Sequence, residues 1–402
     1  MTITKKIIIP NGWSEEACLM WESGKQTDAI GAAMTAYQQT GAKDYRLALQ
    51  STYYLFLLGD YANCIHVLEQ QLKATPENLD VLNNLAACYS RNKNWDKAIE
   101  FAKKVISIVP DNFNAWDILA SAYSKTHEYE LASQAGTQVL TLKDRTHGKI
   151  NSTDWKIPTT HPKLITSTPH KKKVIAFSLW GENPRYLRGG LCNLLLAPEL
   201  YPEWILRFYV DQSVPQEFIE LITQHGAEVV FHSASETTRQ KLCRRFLVAN
   251  DPQVGYFMVR DVDSVFSTRE VLSVNEWLAS DKYFHVMRDW WTHTDLMLAG
   301  MWGGVANALP NLSDLLNNYT SEHLDTPNID QWFLRDVVWK YVKQSCLVHD
   351  RCFTSVGSEP HPGETPQGMK HIGQDEYSVK CSLQENFLKP WIAKYPCLGK
   401  LS

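Results

Sequence analysis

Shifted by 34 residues against itself, the first third of the chain falls into register in three blocks, and this period limits its fold more than any other feature. In the clearest block, LDVLNNLAACYSRNKNWDKAIEFAKKVISIVP at 79–110, Leu82, Leu85, Ala86 and Tyr89 mark the buried stripe of one helix. Trp95, Ala98, Ala102 and Val105 mark that of its partner, and the small alanines let the two helices approach closely. Trp116, Leu119, Ala120, Tyr123, Tyr129, Ala132 and Val139 repeat the offsets in the next block, as Gly59, Tyr61, Leu68 and Pro76 do in the one before. Residues 14–41 read as one more helix pair of weaker pattern, as a terminal unit with one wet face should be.

These blocks closely resemble tetratricopeptide-repeat proteins. The resemblance implies an all-α solenoid over residues 11–146 with a concave surface for a peptide or protein partner; a rigid appendage without a partner is the plainer alternative. After LKDRTHGK the period stops. Residues 147–171, rich in Thr, Ser, Pro and Lys, read as a linker. The sequons at Asn151, Asn311 and Asn318 read as accidental in a cytoplasmic protein.

From Val174 the pattern changes to alternating strands and helices. VIAFSLWG, WILRFYVD, AEVVFHS and GYFMVRD suit strands, while NPRYLRGGLCNLLLAPEL, VPQEFIELITQHG and TRQKLCRRFLVAND suit helices. The expectation is a second domain, residues 172–402, built on a parallel sheet covered on both faces. Such sheets bind ligands at the carboxyl ends of their strands.

The fourth strand ends in Arg260, Asp261, Val262, Asp263 and Ser264. Side chains two apart on a strand share a face, so the two aspartates would crowd in one crevice. Divalent cations with hard oxygen ligands relieve such crowding, and an ion held by few protein ligands keeps positions open for phosphate oxygens. The pair therefore reads as a seat for a metal carrying a diphosphate, against the plainer reading of a solvated turn.

Taken in order, VIAFSLWGENPRYLRGG, RFYVDQSVP, GAEVV and RDVDS look like the nucleotide-sugar-binding half of glycosyltransferases with the GT-A fold. HVMRDWWTHTDLMLAGMWGG at 285–304 looks like a segment of a bacterial branch of them, some of which also carry tetratricopeptide repeats. The resemblance implies a Rossmann-like α/β domain that uses Mn2+ or Mg2+ and a nucleotide-diphosphate sugar. It implies that Asp263 binds the metal and that Asp261 binds the metal or the donor ribose, with Arg260 beside them. Ser178 and Trp180 would lie near the nucleobase. Arg185 and Arg188 would clamp phosphate, unless they merely face solvent.

On the acceptor side, YFHVMRDWW reads as a strand, and the glycines that follow suggest close backbone approach or a tight turn. Arg288, Asp289, His293, Trp302 and Gly303 are the candidates to hold donor sugar and acceptor, with core packing the alternative for the tryptophans. Asp330 opens a helix in TPNIDQWFLRDVVWKYV, either as its N-cap or, as the resemblance implies, as general base of an inverting transferase. Asp289 competes for the base role. His371 in QGMKHIGQDEY resembles the late histidine that completes the metal site in several such families, or is a surface histidine. The Gly- and Pro-rich SVGSEPHPGETPQG reads as a flap over the donor.

A net charge of −4 carries no basic excess for nucleic acid. No apolar run reaches membrane-spanning length, which points to the cytoplasm, with the inner face of the membrane as a further location. Nine scattered cysteines without a CxxC pair read as free thiols. Of the fourteen tryptophans, the majority fall in the second domain, where core packing and stacking on sugars both employ indoles. The expected activity is transfer of a sugar to a glycan, lipid-linked or protein acceptor. An adaptor with an inactive transferase-like domain and a nucleotidyltransferase or phosphohydrolase are the alternatives.

Overall fold

The computed structural model describes residues 9–166, 171–320, 328–355, 357–366, 368, 370–375 and 382–399. The chain divides into two compact units, Met1–Leu142 and Lys143–Ser402.

The 34-residue period of the first unit is visible in backbone and caps as well as in the apolar stripes. Helices α1 (Glu15–Glu22), α2 (Gln26–Gln39), α3 (Tyr45–Leu57), α4 (Tyr61–Ala74), α5 (Leu79–Arg91), α6 (Trp95–Ile108), α7 (Phe113–Lys125) and α8 (Tyr129–His147) follow one another with short turns. Asp44, Asn78 and Asn112, each 34 residues after the last, are the N-caps of α3, α5 and α7, and each side chain accepts a backbone N–H of the first turn. Asp60 and Asn94 do the same for α4 and α6. Such caps contribute about 1 kcal/mol each. Gly59, Lys93 and His127, again 34 apart, adopt positive φ of 78°, 61° and 65° to turn the chain between paired helices. The alanines behave as expected: Ala86, Ala98, Ala102 and Ala120 are wholly buried. α1 and α2 form the expected weaker first pair.

The second unit contains α9 (Pro162–Thr166), β1 (Lys172–Ser178), α10 (Pro184–Leu200), β2 (Trp204–Val210), α11 (Gln216–Gln224), β3 (Glu228–Phe231) and α12 (Thr238–Cys243), followed by a 3-10 segment, Arg244–Asn250. Then come β4 (Val254–Arg260), α13 (Thr268–Ala279), β5 (Phe284–Arg288), β6 (Met301–Val305), α14 (Leu312–Asn318), α15 (Ile329–Phe333), α16 (Trp339–Val342), β7 (Cys346–Asp350), β8 (Ser358–Glu359) and α17 (Ser382–Lys394). The sheet order is β3-β2-β1-β4-β6-β5-β7-β8.

The expected all-parallel sheet is corrected to a mixed one. β3, β2, β1 and β4 are parallel, but β6 runs antiparallel to both β4 and β5. β6 is the MWGGV segment whose glycines suggested a turn. They are small because neighbouring strands crowd them: a Cβ on Gly303 would lie 2.5 Å from the Phe257 carbonyl oxygen, and one on Gly304 would lie 2.4 Å from a ring carbon of Phe284. The helix expected over 238–251 tightens into the 3-10 segment after Cys243, and a π-helical turn, Leu334–Val338, separates α15 from α16.

Two connecting segments are less loose than their composition suggests. In the expected linker, the Trp155 indole N–H donates to the Ala308 carbonyl at 2.8 Å and Ile157 is buried. In the expected flap, Ser358 and Glu359 pair with β7, and His361 is buried between Ser273 and the Arg288 carbonyl; Val356 and Gln367 of that segment lie outside the described residues. The described cysteines are free thiols.

His361 belongs to a buried histidine row. Its ring stacks on His349 at 5.3 Å, and His349 Nδ1 lies 2.7 Å from His285 Nε2. Burial pushes all three below the usual histidine range, His285 far below it and His361 to about 3. The unfolded chain binds these protons near pH 6.5 and the folded one does not, so stability is lost as pH falls below about 6.5. Urea unfolding across pH 7 to 4 should show this loss, and His361→Asn should make its slope shallower.

Candidate functional site

The carboxyl end of β4 gathers acids and arginines from four separate segments. Asp261 and Asp263 follow the strand directly. Arg185 comes from the first turn of α10, where Pro184 and the capping Asn183 start the helix. Its Nε donates to Asp263 Oδ2 at 2.8 Å, and its Nη2 also pairs with Asp375. Asp375 reaches this place because its backbone forms an antiparallel bridge with Ser264.

Arg245 completes the cluster from the 3-10 segment. One terminal nitrogen binds Asp261 Oδ1 and the Arg260 carbonyl, and the other binds Asp330 Oδ2 at 3.1 Å. Its backbone N–H donates to Ser178 Oγ, whose hydroxyl in turn donates to the Leu242 carbonyl. Ser178, expected near a nucleobase, is therefore a buried strut that fixes Arg245 against β1. Trp180 is half-buried in the loop after β1.

Glycine sets the spacing. A Cβ on Gly189 would lie 2.5 Å from the Val262 carbonyl oxygen and 2.6 Å from Asp263 Cα, and one on Gly300 would lie 2.1 Å from Asp261 Oδ2. α10 and the turn before β6 thus hold the acidic turn from two sides.

The electrostatics divide the acids. Burial raises the Asp261 carboxyl, but Arg245 outweighs it and holds the group below its ordinary value. Burial and then the Asp261 charge push Asp263 up, against only partial relief from Arg185. Asp330 is likewise raised, by burial first, with Arg245 opposing and Asp261 adding to it. Crowded oxygen ligands of this kind suit a hard divalent cation. Among the described residues no three His, Cys, Asp or Glu side chains converge as a closed metal shell, so an ion here would be held by one or two carboxylates together with ligand oxygens.

Several residues expected at the site are elsewhere. Arg188 is buried, with Nε donating 2.9 Å to the Leu398 carbonyl and Nη2 bonding the Gly399 carbonyl; it ties down the C-terminal segment and faces neither phosphate nor solvent. Arg260 is wholly buried, pairing with Glu270 at 2.9 Å and donating to the Gly300 carbonyl. Arg288 is buried against Asp350 at 2.7 Å and the Leu296 carbonyl. These guanidiniums are spent inside the core. Trp302 packs between Phe246 and Phe257, 1% exposed, and Gly303 meets β4 rather than a ligand.

Asp289 is fully buried and uses one oxygen on Arg269 and the other on the Ile372 N–H, both at 2.7 Å. It anchors the loop around residue 372, which is a poor position for a base. His371 stacks on Trp290 at 5.1 Å and meets His293 edge-on at 5.0 Å. His293 Nδ1 accepts the Asp289 N–H. Asp375, four residues after His371, is the member of this loop that lies beside Asp263. Asp330 lies within α15, whose N-cap is Asn328, so it is not the cap. Sequence reasoning missed Arg245 and Asp375. Arg245 carried no signal within CRRF; Asp375 stood two residues after Gly373, which marked the loop.

A cleft of about 620 Å3 opens between the loop after β1, the start of α11 and the C-terminal segment, lined by Glu182, Asn183, Pro215, Glu217 and Cys397 among others. Among the described residues no helix is long and apolar enough to cross a membrane.

The tetratricopeptide repeat family profile matches residues 55–134. No curated protein matches the sequence. Among solved structures, residues 41 to the end of MamA from Desulfovibrio magneticus RS-1 are similar at 16% identity and a TM-score of 0.30, over 33% of this chain and 74% of that one. A MamA structure labelled MSR-1 is similar at 22% identity and a TM-score of 0.29, over 33% and 76%. The likeness is weak and confined to about a third of the chain.

Two glycines in helices should respond oppositely to alanine. Gly189→Ala drives a methyl into the Val262–Asp263 backbone and is expected to cost about 1–3 kcal/mol. Gly31→Ala in α2 meets open space and should stabilise by about 0.5–1 kcal/mol. Chemical denaturation of both variants measures the signs.

Proposed function

We propose that the second unit is a metal-dependent glycosyltransferase with a GT-A-type fold. It would move a sugar from a nucleotide-diphosphate donor to a glycan, lipid-linked or protein acceptor. The observation that carries this reading is the paired Asp261 and Asp263 at the carboxyl end of β4, where burial and then the Asp261 charge raise the Asp263 carboxyl while Asp330 stands one guanidinium away. The repeats, which as a class bind proteins, would hold the acceptor or a partner protein.

In this reading Asp263 and Asp261 would hold Mn2+ or Mg2+. The ion supplies charge neutralisation for the departing diphosphate. Arg185, already beside Asp263, offers its guanidinium to the same phosphates. The cleft beside α10 receives the nucleoside. Asp330 accepts the proton of the acceptor hydroxyl: both its oxygens are hydrogen-bonded, but each keeps a second lone pair. Arg245 favours the ionised form of Asp330 against its burial and orients it, acting through it as a positioning residue.

The adaptor reading has one observation in its favour, since Asp261 and Asp263 are each already ion-paired with an arginine and need no metal to be satisfied. Asp263→Asn separates the two. It should remove manganese-dependent binding of the donor, followed by calorimetry, while leaving thermal unfolding near that of the wild type; unchanged donor binding would end the metal assignment.

Asp330→Asn tests the base. Asparagine keeps one acceptor oxygen for Arg245 but sets its NH2 against the Gln331 N–H and removes a counter-charge, so stability should fall by about 1–3 kcal/mol while donor affinity holds and turnover drops by roughly 100-fold or more. A near-normal rate in that variant would reject Asp330 as base and favour a mechanism without an enzymatic base at this position.

A further inference from the structure

At the opposite ends of β1 and β4 from the acidic cluster, about 20 Å away along the strands, a second charged feature stands apart from everything assigned above. Lys163 of α9, Lys171, and Lys172 and Lys173 at the start of β1 line a cavity of about 270 Å3, floored by Tyr256 of β4 and Leu278 of α13. Lys171 Nζ donates to the Pro252 carbonyl, and Lys163 has no carboxylate partner among the described residues. Lys172 pairs with Glu228 at 2.7 Å, a carboxylate shared with Arg207, and Lys173 pairs with the exposed Glu203. Arg207 also binds Asp251. Among the described residues the five cations therefore pair only with the carboxylates of Glu203, Glu228 and Asp251, which leaves the patch positive on a chain whose net charge is −4.

Beside these lysines is an exposed apolar side chain. Leu164, next to Lys163 on α9, is 76% exposed, more than any other large hydrophobic residue described. A purely electrostatic anion pocket has no use for it. Exposed leucine flanked by lysines is the combination that favours an anionic bilayer surface: lysines attract the headgroups while the leucine enters the acyl boundary.

We infer that this patch is a peripheral docking site for membranes bearing anionic phospholipid headgroups. The charge excess selects the anionic surface, and Leu164 selects a bilayer over a soluble phosphate or an acidic protein. The inference does not rest on the transferase reading, because the lysines touch none of the residues assigned to that site.

The test is co-sedimentation of the full chain with vesicles of phosphatidylcholine alone and of phosphatidylcholine with about one third phosphatidylglycerol. Binding to the anionic vesicles alone, and its release as salt is raised, is expected. Lys163→Glu with Lys171→Glu should lower the partition about tenfold or more, and Leu164→Ser roughly fivefold. All three positions are exposed or half-buried, so circular dichroism and thermal unfolding should be unchanged, and any variant that unfolds is replaced by Lys163→Gln with Lys171→Gln. No preference for anionic vesicles, or full partition of the double variant, would overturn the inference. So would a Leu164→Ser variant that partitions normally while inorganic phosphate or polyglutamate displaces the protein, since that result describes an anion or acidic-protein site.

Discussion

The arrangement at the end of β4 depends on one buried guanidinium. Arg245 is 4% exposed, and a charge taken that far from water must be matched by partners at close range. It finds Asp261 on one side, Asp330 on the other and the Arg260 carbonyl between them. Residues 69 apart in sequence are thereby locked to one planar group. Removing the guanidinium would leave the buried Asp330 carboxylate without its counter-charge and Asp261 without its partner, so the same contact serves stability and orients both acids.

That contact requires the backbone to come close, and glycine permits it. Gly189 lets α10 rest directly on the Val262–Asp263 backbone, and Gly300 lets the turn before β6 pass against the Asp261 carboxylate. Main-chain packing thus places the turn that carries Asp261 and Asp263, and Arg245 and Arg185 orient the carboxylates on it. A methyl at either glycine acts on the carboxylates without touching their chemistry.

Where chemistry follows local pattern, the sequence was a good guide. The 34-residue period marked helix pairs that the caps at Asp44, Asn78 and Asn112 confirm in detail, and apolar runs marked β1 to β5. Direction was not legible: nothing within MWGGV states that β6 runs against its neighbours, because its burial on both faces leaves no alternation to read. Arginine was misread for a single reason. Arg188 read as a phosphate clamp, Arg260 as part of the donor site and Arg288 as a holder of donor sugar or acceptor, yet each is matched by carboxylates or carbonyls of the protein itself. A long cationic side chain gives no local sign of whether its partner is ligand or protein, and Arg245, which does matter at the site, was silent for the same reason.

Charge balance gives the cluster its direction. Arg185 and Arg245 bring two positive charges to Asp261, Asp263, Asp330 and Asp375. The excess of two negative charges equals what the proposed divalent ion would supply. It is distributed unevenly: Asp261, nearest Arg245, is held low, whereas Asp263 and Asp330 are raised. Neighbouring carboxylates whose proton affinities are pushed apart are suited to different tasks. Burial is the main reason Asp330 is raised, and the Asp261 charge adds to it; an ion at Asp261 and Asp263 would offset that addition, so ion binding and the basicity of Asp330 would be coupled beside Arg245, the only side chain among the described residues that bonds both Asp261 and Asp330.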